Sequence, residues 1–196
     1  MFEWNAIIGG LAGIISAVAF IPYIRSIVKG ETKPSIATWL VWTLVGGMIF
    51  ASYLTAGGWT TTIWASMVYV VAPASIFFLS LKYGKRDDLK IRFVEKVCVV
   101  GALLGILVWF ITESTLIALA IFLLIDFFGA IPTIVKSYYY PREENMLTWM
   151  LSFTGSTLNL FALQSLTFAV AAQPIYMFFN ISITTAIMIV GRVRKV

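Results

Sequence analysis

The sequence predicts an all-α integral membrane protein of seven transmembrane helices, built as two parallel three-helix repeats joined by a linker helix. Three observations carry this. Hydrophobic residues make up 60% of the 196 and charged residues 12%, with mean hydropathy +0.93, far from the balance of a soluble domain. Residues 20–39 and 130–149 repeat one another without a gap at an offset of 110, matching Ile21/Ile131, Pro22/Pro132, Ile24/Ile134, Thr38/Thr148 and Trp39/Trp149. All fourteen Lys and Arg fall in alternate connections or in the tail.

A helix crossing the hydrocarbon core needs about 20 mostly apolar residues, because its backbone polar groups must be satisfied within the helix. Seven segments qualify: 4–28, 35–55, 59–81, 97–111, 115–136, 145–166 and 169–190. The first is read as a mature span, since it has no basic leader and no small-residue cleavage pattern. The fourth is the shortest and has no counterpart at the 110-residue offset. The chain therefore divides into a first repeat over 1–82, a cytoplasmic loop and linker helix over 83–113, and a second repeat over 114–196. The stretch 85–96 mixes charges with Leu89 and Phe93 at helical spacing, and either lies on the membrane surface or extends the linker helix. Gly9 with Gly13, and Gly101 with Gly105, are spaced to let helices approach closely.

Orientation follows from the basic residues. Arg25, Lys29 and Lys33 lie between the first two spans; Lys82, Lys85, Arg86, Lys90, Arg92 and Lys96 between the third and fourth; Lys136 and Arg142 between the fifth and sixth; Arg192, Arg194 and Lys195 in the tail. The positive-inside rule makes that face cytoplasmic, with the N-terminus outside and the C-terminus inside, in a plasma or inner membrane. The opposite face carries only Glu3 and Glu113 as charges. The formal charge of +5 is thus explained by topology and contact with anionic headgroups, without a nucleic-acid partner. The chain has one cysteine, Cys98, and no histidine, so it can assemble neither a transition-metal site nor a Ser/His/Asp or Cys/His nucleophile. No enzymatic activity, cofactor or metal is expected.

Two triple-helix halves around a lone linker, with Pro22-Tyr23 and Pro132-Thr133 near the inner end of each half's first helix and Thr38-Trp39 and Thr148-Trp149 opening its second, resemble the SWEET/PQ-loop superfamily. Neither proline is followed by Gln, and Pro132-Thr133 is closer to the SWEET variant. The resemblance spans nearly the whole chain. It implies a transporter working by alternating access between the repeats, with its substrate site between them. Proline removes a backbone donor and bends a helix; at matching depth in both halves, Pro22 and Pro132 are the expected hinges.

Polar residues inside the spans suggest the site. Thr148, Ser152, Ser156 and Asn159 recur on one face of the sixth span, and Gln173, Tyr176, Asn180 and Thr184 on one face of the seventh. The two stripes are expected to line a wet cavity, or else to form packing hydrogen bonds. Asn180 lies in the last helix of its half, where SWEET-like transporters place a substrate-binding Asn. The first half has Trp42 where the second has Ser152, and Val70 where it has Asn180, with Tyr69 and Trp64 nearby. The expected substrate contacts are Trp42, Tyr69, Ser152, Asn159, Tyr176 and Asn180. Asp126, the counterpart of Ser16, is the only ionisable residue well inside a span. A charge there costs about 2.5 to 3.5 kcal/mol on insertion scales, so it must face the bundle interior. With no Lys or Arg inside the membrane to pair with it, desolvation favours the neutral acid; it is expected to couple protons, to contact a cationic or hydroxyl-rich substrate, or to serve structure alone as a protonated Asp hydrogen-bonded to a neighbouring Ser, Thr or Asn.

The expectation is a transporter for a small neutral or cationic polar solute, sugar-, amino-acid- or nucleoside-like. A heptahelical receptor or assembly protein of the same fold is the alternative. The lipid bilayer is the other expected partner, and oligomeric state is left open. A retinal protein would need an intramembrane Lys in the seventh span, and an aspartyl protease a second acid beside Asp126; the sequence supplies neither.

Overall fold

In the computed structural model, the structure describes residues 4–57, 63–84, 89–111, 115–163, 166 and 168–194. The helical side chains at 5–6, 48–57, 63–69, 89–91, 109, 115–116, 118–119 and 168–170 lie outside that description. The described residues are all-helical: α1 (Trp4–Val18), α2 (Phe20–Val28), α3 (Ile36–Gly57), α4 (Ile63–Tyr83), α5 (Leu89–Phe110), α6 (Thr115–Tyr139), α7 (Met146–Phe161) and α8 (Phe168–Arg194), with a 3-10 turn at Pro141–Glu143 before α7.

Three stretches are long and apolar enough to cross a membrane: Ile7–Val28, Ala120–Tyr139 and Ala171–Arg194; Ile36–Gly47 and Val70–Tyr83 are shorter apolar helices. Large apolar side chains also face outward, as at Leu103, Leu104 and Leu107 on α5 and Phe179 and Ile183 on α8. Such a surface is unfavourable in water and compatible with a membrane protein.

The first apolar segment differs from the single helix expected. It is interrupted only at Ala19, between α1 and α2, where the dihedrals remain α-helical (φ −58°, ψ −26°); Pro22, three residues on, has no N–H to give the Val18 carbonyl. α6 stays continuous through Pro132, so the two matched prolines have unequal effects. α2 ends at Gly30, whose φ of +75° is a left-handed conformation natural to glycine. α3 and α7 start alike. Ser35 Oγ accepts the Thr38 amide at 3.2 Å, and Asn145 Oδ1 accepts the Thr148 amide at 2.9 Å, each satisfying a donor that the first helical turn leaves open.

The charged stretch after α4 extends the linker helix from residue 89 onward: α5 runs unbroken from Leu89, and Ser35 Oγ donates to its Glu95 Oε1 at 2.8 Å. Helix packing comes in matched pairs. α3 packs on α4 as α7 packs on α8; α1 packs on α7 as α6 packs on α3; α2 touches α4 as α6 touches α8; α5 lies against α6 and α3. Tyr23, Ile27, Trp39 and Ile76 form one buried cluster, and Val41, Val45, Ala102 and Ile125 another.

The glycines divide unevenly. A Cβ on Gly105 would lie 2.6 Å from Ile125 Cγ1, and one on Gly101 3.0 Å from the Phe128 ring, so this pair does seat α5 on α6. The expectation for Gly9 and Gly13 needs correction, because Gly13 has nothing within 4 Å and Gly9 only an ordinary contact with Ala162. Gly155 provides the close approach of α7 to α1 instead, where a Cβ would collide with Ser16 Oγ.

Candidate functional site

Asp126 lies on α6, six residues before Pro132, and is only 8% exposed. Tyr176 and Asn180 sit one turn apart on α8, on one helix face. They meet Asp126 as a chain of hydrogen bonds. The Asn180 amide Nδ2 donates to the Tyr176 hydroxyl at 3.0 Å, and that hydroxyl donates to Asp126 Oδ2 at 2.7 Å. Both distances are ordinary for hydrogen bonds of these types. From the first half, Trp42 Nε1 on α3 donates to the Asp126 backbone carbonyl at 3.4 Å. Gly129 makes room for this: a Cβ there would sit 2.8 Å from Val41 Cγ1 and 3.1 Å from Trp42 Cδ1. Trp42 is held edge-on against Trp39, ring centroids 5.0 Å apart.

Four residues singled out by polarity or position, Trp42, Asp126, Tyr176 and Asn180, are thus brought together from three helices. The remaining candidates are not part of this chain. Asn159 is exposed near the far end of α7, and Ser152 is half-buried on α7; among the described residues neither hydrogen-bonds to the Asp126 group. Of the two readings of the polar stripes, several α7 and α8 residues make packing hydrogen bonds. The α8 stripe turns to α6, while on α7 Ser156 Oγ donates to its own Phe153 carbonyl and Thr148 is held by Asn145. The side chains of Tyr69 and Trp64 lie outside the described residues.

A second polar cluster lies where the C-terminal ends of α2, α6 and α8 meet the start of α7, and sequence reasoning missed its centre. Glu144 and Lys136, both fully buried, form an ion pair. Glu144 Oε2 accepts from Trp149 Nε1 at 3.0 Å, Oε1 accepts from Tyr23 Oη at 3.4 Å, and the Glu144 backbone carbonyl accepts from Arg192 Nη2 at 2.6 Å. Lys136 Nζ also donates to the Lys33 carbonyl. Such satisfaction is what a buried ion pair requires. Thr133 Oγ1 and Thr38 Oγ1 meet at 2.9 Å, joining the two halves beside Pro132. Glu144 reads as a loop acid among basic residues; its one visible signal is its position five residues before the duplicated Trp149.

No protein-family model matches the chain, and no curated protein matches it.

Proposed function

We propose that this chain is a seven-span membrane transporter of the SWEET/PQ-loop type, moving a small polar solute by alternating access between two repeats. The observation that carries the proposal is the buried Asn180–Tyr176–Asp126 chain, met by Trp42 from the other half. Polar groups at apolar depth are costly and mark solute or ion pathways, and this set lies between helices of both repeats.

In this reading α1 and α2 together make the first crossing and α3 to α8 the other six. The N-terminus is outside, the basic residues are cytoplasmic, and α5 is the linker. The paired helix contacts support the repeat, since each contact of one half has its partner under the 110-residue offset. The caps Ser35 and Asn145 obey the same offset. The cluster around Glu144 then serves as the cytoplasmic gate, and its buried state corresponds to a conformation closed on that side. Pro22 and Pro132 are the hinge positions, with the broken first crossing as the softer of the two.

The test is uptake of labelled sugars, nucleosides, amino acids and amines into vesicles reconstituted with the full chain. Saturable uptake of at least one class, lost in Asn180→Ala, is expected. The absence of saturable uptake across all four classes would turn the reading toward a receptor or assembly role.

A further inference from the structure

The direction of each hydrogen bond in the Asp126 group bears on what the site can hold. A phenol has one hydrogen, and Tyr176 directs it to Asp126 Oδ2. The amide atom of Asn180 facing that phenol oxygen must therefore be the donor, which is the arrangement found. The chain is polarised from Asn180 through Tyr176 to the carboxylate, which leaves Asp126 Oδ2 occupied as an acceptor. The Trp42 indole N–H, the other strong donor nearby, is engaged by the Asp126 backbone carbonyl.

Acceptors are what remain for a solute. Among the described residues, neither Asp126 Oδ1 nor Asn180 Oδ1 accepts a hydrogen bond, and one Asn180 N–H is the remaining donor. Among the described residues, no basic side chain pairs with the carboxylate. Lys136 is ten residues further along the same helix, about 15 Å at 1.5 Å per residue, and is paired with Glu144.

We infer that the solute is a small organic cation bearing N–H donors, an ammonium or guanidinium group held by Asp126 Oδ1 and Asn180 Oδ1. The inference rests on the transporter reading and narrows it. A neutral polyol would leave the carboxylate without a counter-charge, and a carboxylate-bearing solute would meet Asp126 with no cation to receive it. A quaternary ammonium would supply charge but no donor for the two oxygens.

The test is the affinity of the full-length, detergent-purified protein for three probes of similar size, read from ligand-dependent melting temperature: methylguanidinium, its neutral isostere methylurea, and tetramethylammonium. The wild-type protein is expected to bind methylguanidinium about tenfold or more tighter than either comparator, as one charge-assisted hydrogen bond allows. The preference is expected to fall to about twofold or less in Asp126→Asn, since a carboxamide keeps the size without the charge. The wild-type ranking stands even if that variant does not fold. Equal or tighter binding of methylurea or tetramethylammonium would overturn the inference, as would a methylguanidinium preference that survives in Asp126→Asn. If instead a sugar or nucleoside is taken up by vesicles in an Asn180-dependent way, the cation assignment fails while the transporter reading stands. If no class is taken up and no probe shifts the melting temperature, both fail.

Discussion

Lys33 and Glu143, which occupy equivalent positions in the two halves of the sequence, bond directly to one another. The Lys33 amide donates to the Glu143 carbonyl at 3.1 Å, and Lys33 Nζ lies 3.3 Å from Glu143 Oε1. Residues related by a two-fold operation touch only near its axis, so in the proposed architecture the axis passes between these inner connections. The Lys33 side chain is 46% exposed, so the ion pair itself adds little stability; in the proposed transport cycle it marks where the halves would separate.

Truncation of Glu144 should be among the most damaging single changes. Glu144→Ala removes the carboxylate that pairs with buried Lys136 and the acceptor for Tyr23 and Trp149. A loss of about 3 to 5 kcal/mol is expected, read as a lowered melting temperature in detergent. The double variant Lys136→Met/Glu144→Leu should recover a substantial part of it, because the uncompensated charge is gone. A double variant no better than Glu144→Ala would show that the ion pair is not what holds this region.

Gly155 and Gly13 should respond oppositely to alanine. At Gly155 the added methyl meets Ser16 Oγ and the Ala12 carbonyl, and pushing α1 off α7 should cost about 1 to 3 kcal/mol. At Gly13 the space is open, and the gain in helix propensity, up to about 1 kcal/mol, should leave the protein unchanged or slightly more stable. Thermal unfolding of the two variants side by side checks the contrast.

The two helix caps should be worth similar amounts. Ser35→Ala and Asn145→Ala are each expected to cost about 1 kcal/mol. Ser35→Ala additionally frees Glu95 on α5, so hydrogen exchange should rise at the start of α5 in that variant and not in Asn145→Ala.

Proline replacement should separate the two matched positions. Pro22→Ala restores a donor for the Val18 carbonyl across the break at Ala19, and is expected to protect the 18–22 amides from exchange and slow uptake. Pro132→Ala acts in a helix that is already continuous and should change uptake less. Equal effects from both would contradict the unequal roles drawn from the structure.

The helices were legible because lipid-compatible stretches announce themselves by composition, and α5 in particular could be located by its lack of a counterpart in the repeat. The break at Ala19 was not legible in position, since Pro22 and Pro132 read alike and only tertiary packing distinguishes their helices. Trp42, Asp126, Tyr176 and Asn180 stood out as polar or aromatic residues inside the spans. Their connection did not: spacing along α7 and α8 says which residues share a face, but not that the α8 face turns to α6. Glu144 escaped notice for a related reason, because burial of a loop acid depends on the inner ends of α2, α6, α7 and α8 converging on it.

The most direct test of alternating access is the distance between spin labels at Lys29 and Arg142, exposed positions on opposite halves at the inner side, in a Cys98→Ser background reconstituted in lipid. Two distance populations are predicted, the shorter matching the closed inner side. Glu144→Gln should enlarge the longer population by weakening the cluster that joins the halves. A single narrow distribution, unchanged by Glu144→Gln, would contradict a gate at Glu144 and with it the proposed transport cycle.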